Sequence, residues 1–286
     1  MATDQQIRSA LRTQWHQAVR ECTALPEGRW RIDTGGRRLL VTLSTAAGQA
    51  RLLAGLAVVE HLARVGFPAG APVRAVDGAF TVPVEGGVLA VVHDVPGRPL
   101  DPEDPLDQQW WGDLLGAAHR ALTGFHHPRL ARLAWLSGEG AHLSAVPWLR
   151  AAVGEALAAL TRLTVTDQLT YGVLHGDPAP DAFRLDPETG RTGLVDWRAA
   201  ATGPLVYDLA AAVGYAGGLD VAGELVEGYL AAGPVPPDEA EVALPVLARY
   251  WLAERVDAAA RQVGAADTDA TRAALEASRT AWEEFG

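Results

Sequence analysis

Lysine and asparagine are absent from this 286-residue chain, so all 24 Lys-plus-Arg positions are arginine. No ammonium is available to a phosphate loop ending in GK, and neither GxGxxG nor GxSxG occurs. P-loop, dinucleotide-binding and nucleophile-elbow readings are thereby removed. The single cysteine, Cys22, excludes an intramolecular disulfide and any CxxC pair, as suits a reducing cytoplasm. It closes a helical pattern and is expected to be a small buried side chain. No stretch reaches the roughly 18 apolar residues of a membrane span. The opening MATDQQIRSALRTQW lacks the basic start and apolar run of a secretion signal. A cytoplasmic protein with no membrane partner is expected.

With 49% hydrophobic and 21% charged residues the composition is that of a folded globular chain. The formal net charge of -11 speaks against nucleic-acid binding, which needs clustered cations to release counterions from phosphates. A cationic or neutral partner is easier to accommodate.

Apolar residues at Ile7, Leu11, Trp15 and Val19 predict a helix over 4–20. RWRID and RRLLVTLS flank Thr34–Gly36 and predict a β-hairpin, followed by a helix over 50–65 and strands over 73–84 and 88–93. PGRPLDPEDP at 96–105 is a Pro-rich break. Beyond it helical patterns cover 107–124, 145–163, 205–215, 220–232, 238–261 and 267–284. The interruption is YGVLHGD and the run from Phe183 to Val195, both short, apolar and strand-like. Pairing of these strands across the TGRTG turn would converge Asp177 and Asp196 on one site, able to hold a metal beside a general base. Turn-forming aspartates are the other reading.

HGDPAPDAFRLDPETGRTGLVDW followed by GPLVYDLA resembles the catalytic core of the aminoglycoside phosphotransferase family. VVHDVPGRPL is similar to its interlobe hinge, which places His93 beside the nucleotide. The resemblance implies an α+β, bilobal protein-kinase-like fold, with a small antiparallel-sheet N-lobe over 1–95 and a mainly helical C-lobe over 96–286. The catalytic-loop-like segment is 171–198. It further implies ATP, or another nucleoside triphosphate, and Mg2+ as cofactors, with Asp177 orienting the acceptor hydroxyl and Asp196 as metal ligand. His175 and Asp208 match structural positions.

Three departures fall on the nucleotide site. The family's metal-binding Asn position holds Ala182, with Asp181 beside it either as a shifted second ligand or as a turn cap. The strand cation that contacts the phosphates is replaced by Thr42, with Arg38 four residues earlier on the same strand face. Its acidic partner on the next helix is replaced by Gly55. Glu254 and Asp257 fall where the family shapes its acceptor pocket, or on a solvated face.

Two functions follow. One is an ATP- and Mg2+-dependent phosphotransferase acting on a hydroxyl of a small molecule or a peptide Ser or Thr, with a degenerate nucleotide site. The other is a non-catalytic, pseudokinase-like protein that binds a peptide or a partner enzyme.

Overall fold

The computed structural model describes residues 3–166 and 169–284. Helix α1 (Asp4–Gln14) opens with a capping box between Thr3 and Gln6 and buries Ile7 and Leu11. It stops at Gln14 rather than running to residue 20, because His16 adopts φ 53°, which a right-handed helix cannot propagate. Trp15 still packs inward, its indole donating to Val73 O at 2.9 Å. Cys22, expected at a helix end, lies half-buried in strand β1 (Glu21–Leu25).

Four further strands complete an antiparallel sheet: β2 (Arg29–Asp33), β3 (Arg38–Ser44), β4 (Thr81–Val84) and β5 (Gly87–His93). Their order is β1-β2-β3-β5-β4. The register sets Arg29 opposite Thr42 and Leu39 opposite His93. Of the strand expected over 73–84 only the last four residues pair regularly; Pro72, with no N–H to give, makes an isolated bridge to Val92. Helix α2 (Gln49–Arg64) lays Leu52 and Leu56 on Val88 and Ala90 of the sheet.

The connector after β5 leads to α3 (Pro105–Ala121), whose first turn has Asp104 as cap and Pro105 at N1. Arg98 of the connector pairs with the buried Asp107. The short α4 (Ala141–Ala145) and α5 (Pro147–Thr166) follow, then, after the strands below, α6 (Val206–Ala216), α7 (Gly223–Ala232), α8 (Pro237–Ala265) and α9 (Asp269–Glu284). Helices α3 and α7 are in backbone contact: a Cβ on Gly112 would stand 2.0 Å from Leu225 O. No helix among the described residues is long and apolar enough to cross a membrane.

Short strands punctuate the helical part. β6 (Ala131–Arg132), β7 (Tyr171–Leu174) and β10 (Ala201–Pro204) form one sheet in the order β6-β10-β7. β8 (Phe183–Leu185) and β9 (Thr192–Leu194) form a separate hairpin. The TGRTG turn thus joins β8 to β9, while β7 pairs with β10. ATGP, with its Gly and Pro, gives no strand signal in sequence. The β8–β9 hairpin is fastened to both halves of the molecule. Leu194 N donates to Pro68 O at 3.0 Å, and Arg98 and Leu185 exchange two 2.9 Å backbone bonds. A small antiparallel sheet with its helix therefore sits over a mainly helical part, an α+β, kinase-like arrangement.

Candidate functional site

The site begins with a buried carboxylate. Asp208, in the first turn of α6, accepts from the backbone N–H of His175 at 2.5 Å and of Gly176 at 3.0 Å, and from His119 Nε2 at 3.1 Å. The loop leaving β7 is fixed by these bonds, and the next residue, Asp177, projects into solvent. Its Oδ1 accepts from the Tyr215 hydroxyl at 2.6 Å. Burial first, then the bond to Asp177, push the Tyr215 hydroxyl well up, so it stays a donor. His175 is fully buried, its Nε2 2.8 Å from Val195 O and its ring edge-on to Trp197.

Asp196 leaves β9 in the left-handed region, φ 67° and ψ 53°, which a short Asp side chain tolerates. Arg198 binds it through two bonds, Nε to Oδ1 at 2.5 Å and a terminal nitrogen to Oδ2 at 2.7 Å. Arg29 reaches Oδ2 at 3.2 Å. Burial pushes the Asp196 carboxyl up, but the Arg198 bonds and the charges of Arg198 and Arg29 outweigh it and hold the carboxyl below its ordinary value. Glu27, from the turn before β2, pairs with Arg198 at 3.0 Å and with Arg29 at 3.8 Å.

Two adjoining recesses meet here. One is a slot walled by Leu40, Leu56, Val59, Ala90 and Val92, and it reaches His93 and Thr42. The other is polar and is lined by Asp177, Asp181 and Asp196 with Arg29, Arg51 and Arg198. Of the residues singled out in the sequence, Thr42, His93, Asp181 and Asp196 border the slot, and Asp177 joins Asp181 and Asp196 in the polar recess. Burial, then the Arg37 charge, lower the basicity of His93. Arg38 is not brought to the site: it is exposed at the end of β3, opposite Asp33, and lines neither recess. Among the guanidinium groups that line the recesses, Arg29 stands directly across from Thr42.

Gly55 is explained by contact rather than charge. A Cβ there would lie 2.3 Å from Trp197 O, so α2 rests on the backbone just after Asp196 and no side chain fits between them. Glu60 pairs with Arg74 away from the site. The residues missed in sequence are Arg29, Arg198, Glu27 and Tyr215. Alternation along RWRID was the available signal for Arg29, since it sets Arg29 and Arg31 on one face.

Glu254 and Asp257 do not form a solvated face. Asp257 is buried between His142 and Arg261. Glu254 accepts from the Tyr207 hydroxyl at 2.5 Å, and burial pushes its carboxyl up to about 7 despite the Tyr207 and Tyr250 hydrogen bonds that oppose the rise.

The model of the phosphotransferase enzyme family matches residues 25–244, from the end of β1 into α8. The chain belongs to the phosphotransferase enzyme family. The homoserine kinase of Acidiphilium cryptum is 30% identical over 213 residues, 68% of this chain, and the chain spans 64% of that relative's length. The homoserine kinase of a Chelativorans species is 28% identical over 231 residues, 76% of this chain and 70% of the relative. Among solved structures, the amicoumacin kinase hAmiN in complex with AMP-PNP, Ca2+ and Ami is similar with a TM-score of 0.74, at 16% identity over 99% of this chain and 94% of that one. A microcompartment-associated aminopropanol kinase gives 0.71, at 16% identity over 96% and 94%. These likenesses agree with the kinase-like fold.

Proposed function

We propose that this member of the phosphotransferase enzyme family transfers the terminal phosphoryl group of ATP, or of another nucleoside triphosphate, to the hydroxyl of a small molecule. The observation that carries the reading is the polar recess in which Asp177, Asp181 and Asp196 face Arg29, Arg51 and Arg198, next to an apolar slot. The apolar slot suits a planar base, and the recess suits phosphates with a hydroxyl at their end. In this reading residues 1–95 form the lobe over the nucleotide and 96–286 the lobe that holds the acceptor.

Asp177 Oδ1 is held by Tyr215, which leaves Oδ2 to orient the acceptor hydroxyl and take its proton. Mg2+ fits the donor set. Among the described residues no group of three or more His, Cys, Asp and Glu cages an ion, but Mg2+ needs only one or two carboxylates when phosphates supply the rest. Asp196 is kept ionised, and no hydrogen bond among the described residues reaches the Asp181 carboxylate; these two would hold the ion, while buried Ala182 offers no donor. When bound, the ion supplies charge neutralisation on the phosphates.

The homoserine kinases that the chain resembles support a small amino-acid hydroxyl as acceptor, and homoserine is the first candidate to assay. The test follows phosphate transfer from labelled ATP to homoserine, aminopropanol, choline and aminoglycosides, with Asp177→Asn as control. Transfer by the wild type that the variant lacks is expected. Equal transfer by both would overturn the role given to Asp177.

A further inference from the structure

We infer that Arg29 is the side chain that grips the nucleotide phosphates, the cation having moved across one strand pair from position 42. The inference rests on the phosphotransferase reading above and adds to it the residue that discriminates phosphate from nucleoside.

Arg29 lines both recesses, so it stands where the apolar slot opens into the acidic one. A polyphosphate running from a base in the slot toward Asp177 must pass it. Its strand position is rigid, and cross-strand neighbours share a face, so the side chain leaves the sheet on the side that Thr42 faces. Thr42 is too short to reach, which leaves the space above it to Arg29.

Of the other arginines nearby, Arg51 lines only the polar recess and not the slot, and three more are committed elsewhere. Arg31 pairs with Asp94 at 3.2 Å. Arg184 donates to the carbonyl oxygens of Asp181 and Phe183, at 2.5 and 2.7 Å. Arg198 is bound on both sides, by Asp196 and Glu27. Arg29 holds Asp196 by its longest ion-pair contact, 3.2 Å against 2.5 and 2.7 Å for Arg198, and Glu27 only at 3.8 Å. If Arg29 turns to a phosphate, Asp196 keeps both oxygens paired with Arg198. The exchange leaves the half-buried Asp196 with a cation at each oxygen, which is why this guanidinium changes partners more readily than Arg198.

The experiment measures ADP and adenosine affinities of the purified chain by calorimetry, for wild type, Arg29→Gln, Arg29→Lys and Arg29→Gln/Thr42→Lys. Arg29→Gln is expected to weaken ADP on the order of 10- to 100-fold, the usual worth of a charged hydrogen bond, and to leave adenosine within about twofold. Arg29→Lys should keep most of the ADP affinity, and Thr42→Lys should restore at least about tenfold of what Arg29→Gln loses. ADP affinity unchanged in Arg29→Gln would reduce Arg29 to a partner of Asp196. Equal loss of ADP and adenosine would assign it to the shape of the cleft. Either result overturns the inference while leaving the phosphotransferase reading intact. A wild type that binds neither ADP nor GDP overturns that reading itself.

Discussion

The Tyr215 hydroxyl donates to Asp177 Oδ1 at 2.6 Å, tying the end of α6 to the loop after β7. Only one carboxylate oxygen is taken, which in the proposed reaction leaves the other for the acceptor hydroxyl. Asp177→Asn is expected to lower turnover by a factor on the order of 10² to 10⁴ with acceptor binding kept. Tyr215→Phe, which removes orientation but not charge, is expected to lower kcat by about tenfold and leave KM near the wild-type value. Steady-state kinetics on the acceptor found by the transfer assay separate the two effects, and a change confined to KM in Tyr215→Phe would contradict the orienting role.

Asp196 lies between two guanidinium groups and, in the proposed reaction, also holds the ion. Asp196→Asn should abolish the stimulation of nucleotide binding by Mg2+ while leaving the far-UV spectrum unchanged. Asp181→Ala should weaken the same stimulation. Calorimetry with AMP-PNP, with and without Mg2+, reads both variants, and an unaltered response in Asp181→Ala would return that residue to a turn role.

Gly55 has no space beside Trp197 O. Gly55→Ala should therefore destabilise the fold by about 1 to 3 kcal/mol, the cost of an added methyl in a tight contact. Gly55→Glu, which writes the family's acidic residue back, should be worse and should not improve nucleotide binding. Denaturant unfolding of the three proteins checks the order.

The Glu254 carboxyl is raised from its ordinary 4.5 to about 7, so the folded state prefers the protonated form. That contribution to stability is complete below about pH 4.5 and is lost as pH rises through about 7. The whole shift corresponds to roughly 3 kcal/mol. Glu254→Gln should flatten the fall of stability between pH 5 and pH 8, measured by thermal unfolding across that range; a wild-type slope unchanged in the variant would show that another group titrates.

Much of the site was legible because chemistry and spacing coincide in one short segment. HGDPAPDAF and VDW, matched to the family pattern, singled out Asp177, Asp181 and Asp196, and these three do share a recess. What comes from afar in the chain was not legible. Arg29 reaches Asp196 across 167 positions, and nothing in RWRID distinguishes a cleft arginine from a solvated one until the strand register is known. Arg38 illustrates the converse: the strand period alone put it on the face of Thr42, but the strand begins there and its side chain lies outside the cleft. Gly55 read as a lost carboxylate, whereas its meaning is a helix touching backbone, a property of two segments at once. Helix α1 ended early for a local reason, the left-handed His16, which hydrophobic spacing does not register.

The β8–β9 hairpin gives the cleft a mechanical character. Its outer edge is bonded to Arg98 of the connector, and Leu194 N to Pro68 beyond α2. A hinge crossed by such a bond does not swing freely, since lifting the sheet and its helix from the helical part must break Leu194–Pro68. The Leu194 amide should then exchange its hydrogen with solvent only as fast as that bond opens, which hydrogen exchange reads directly.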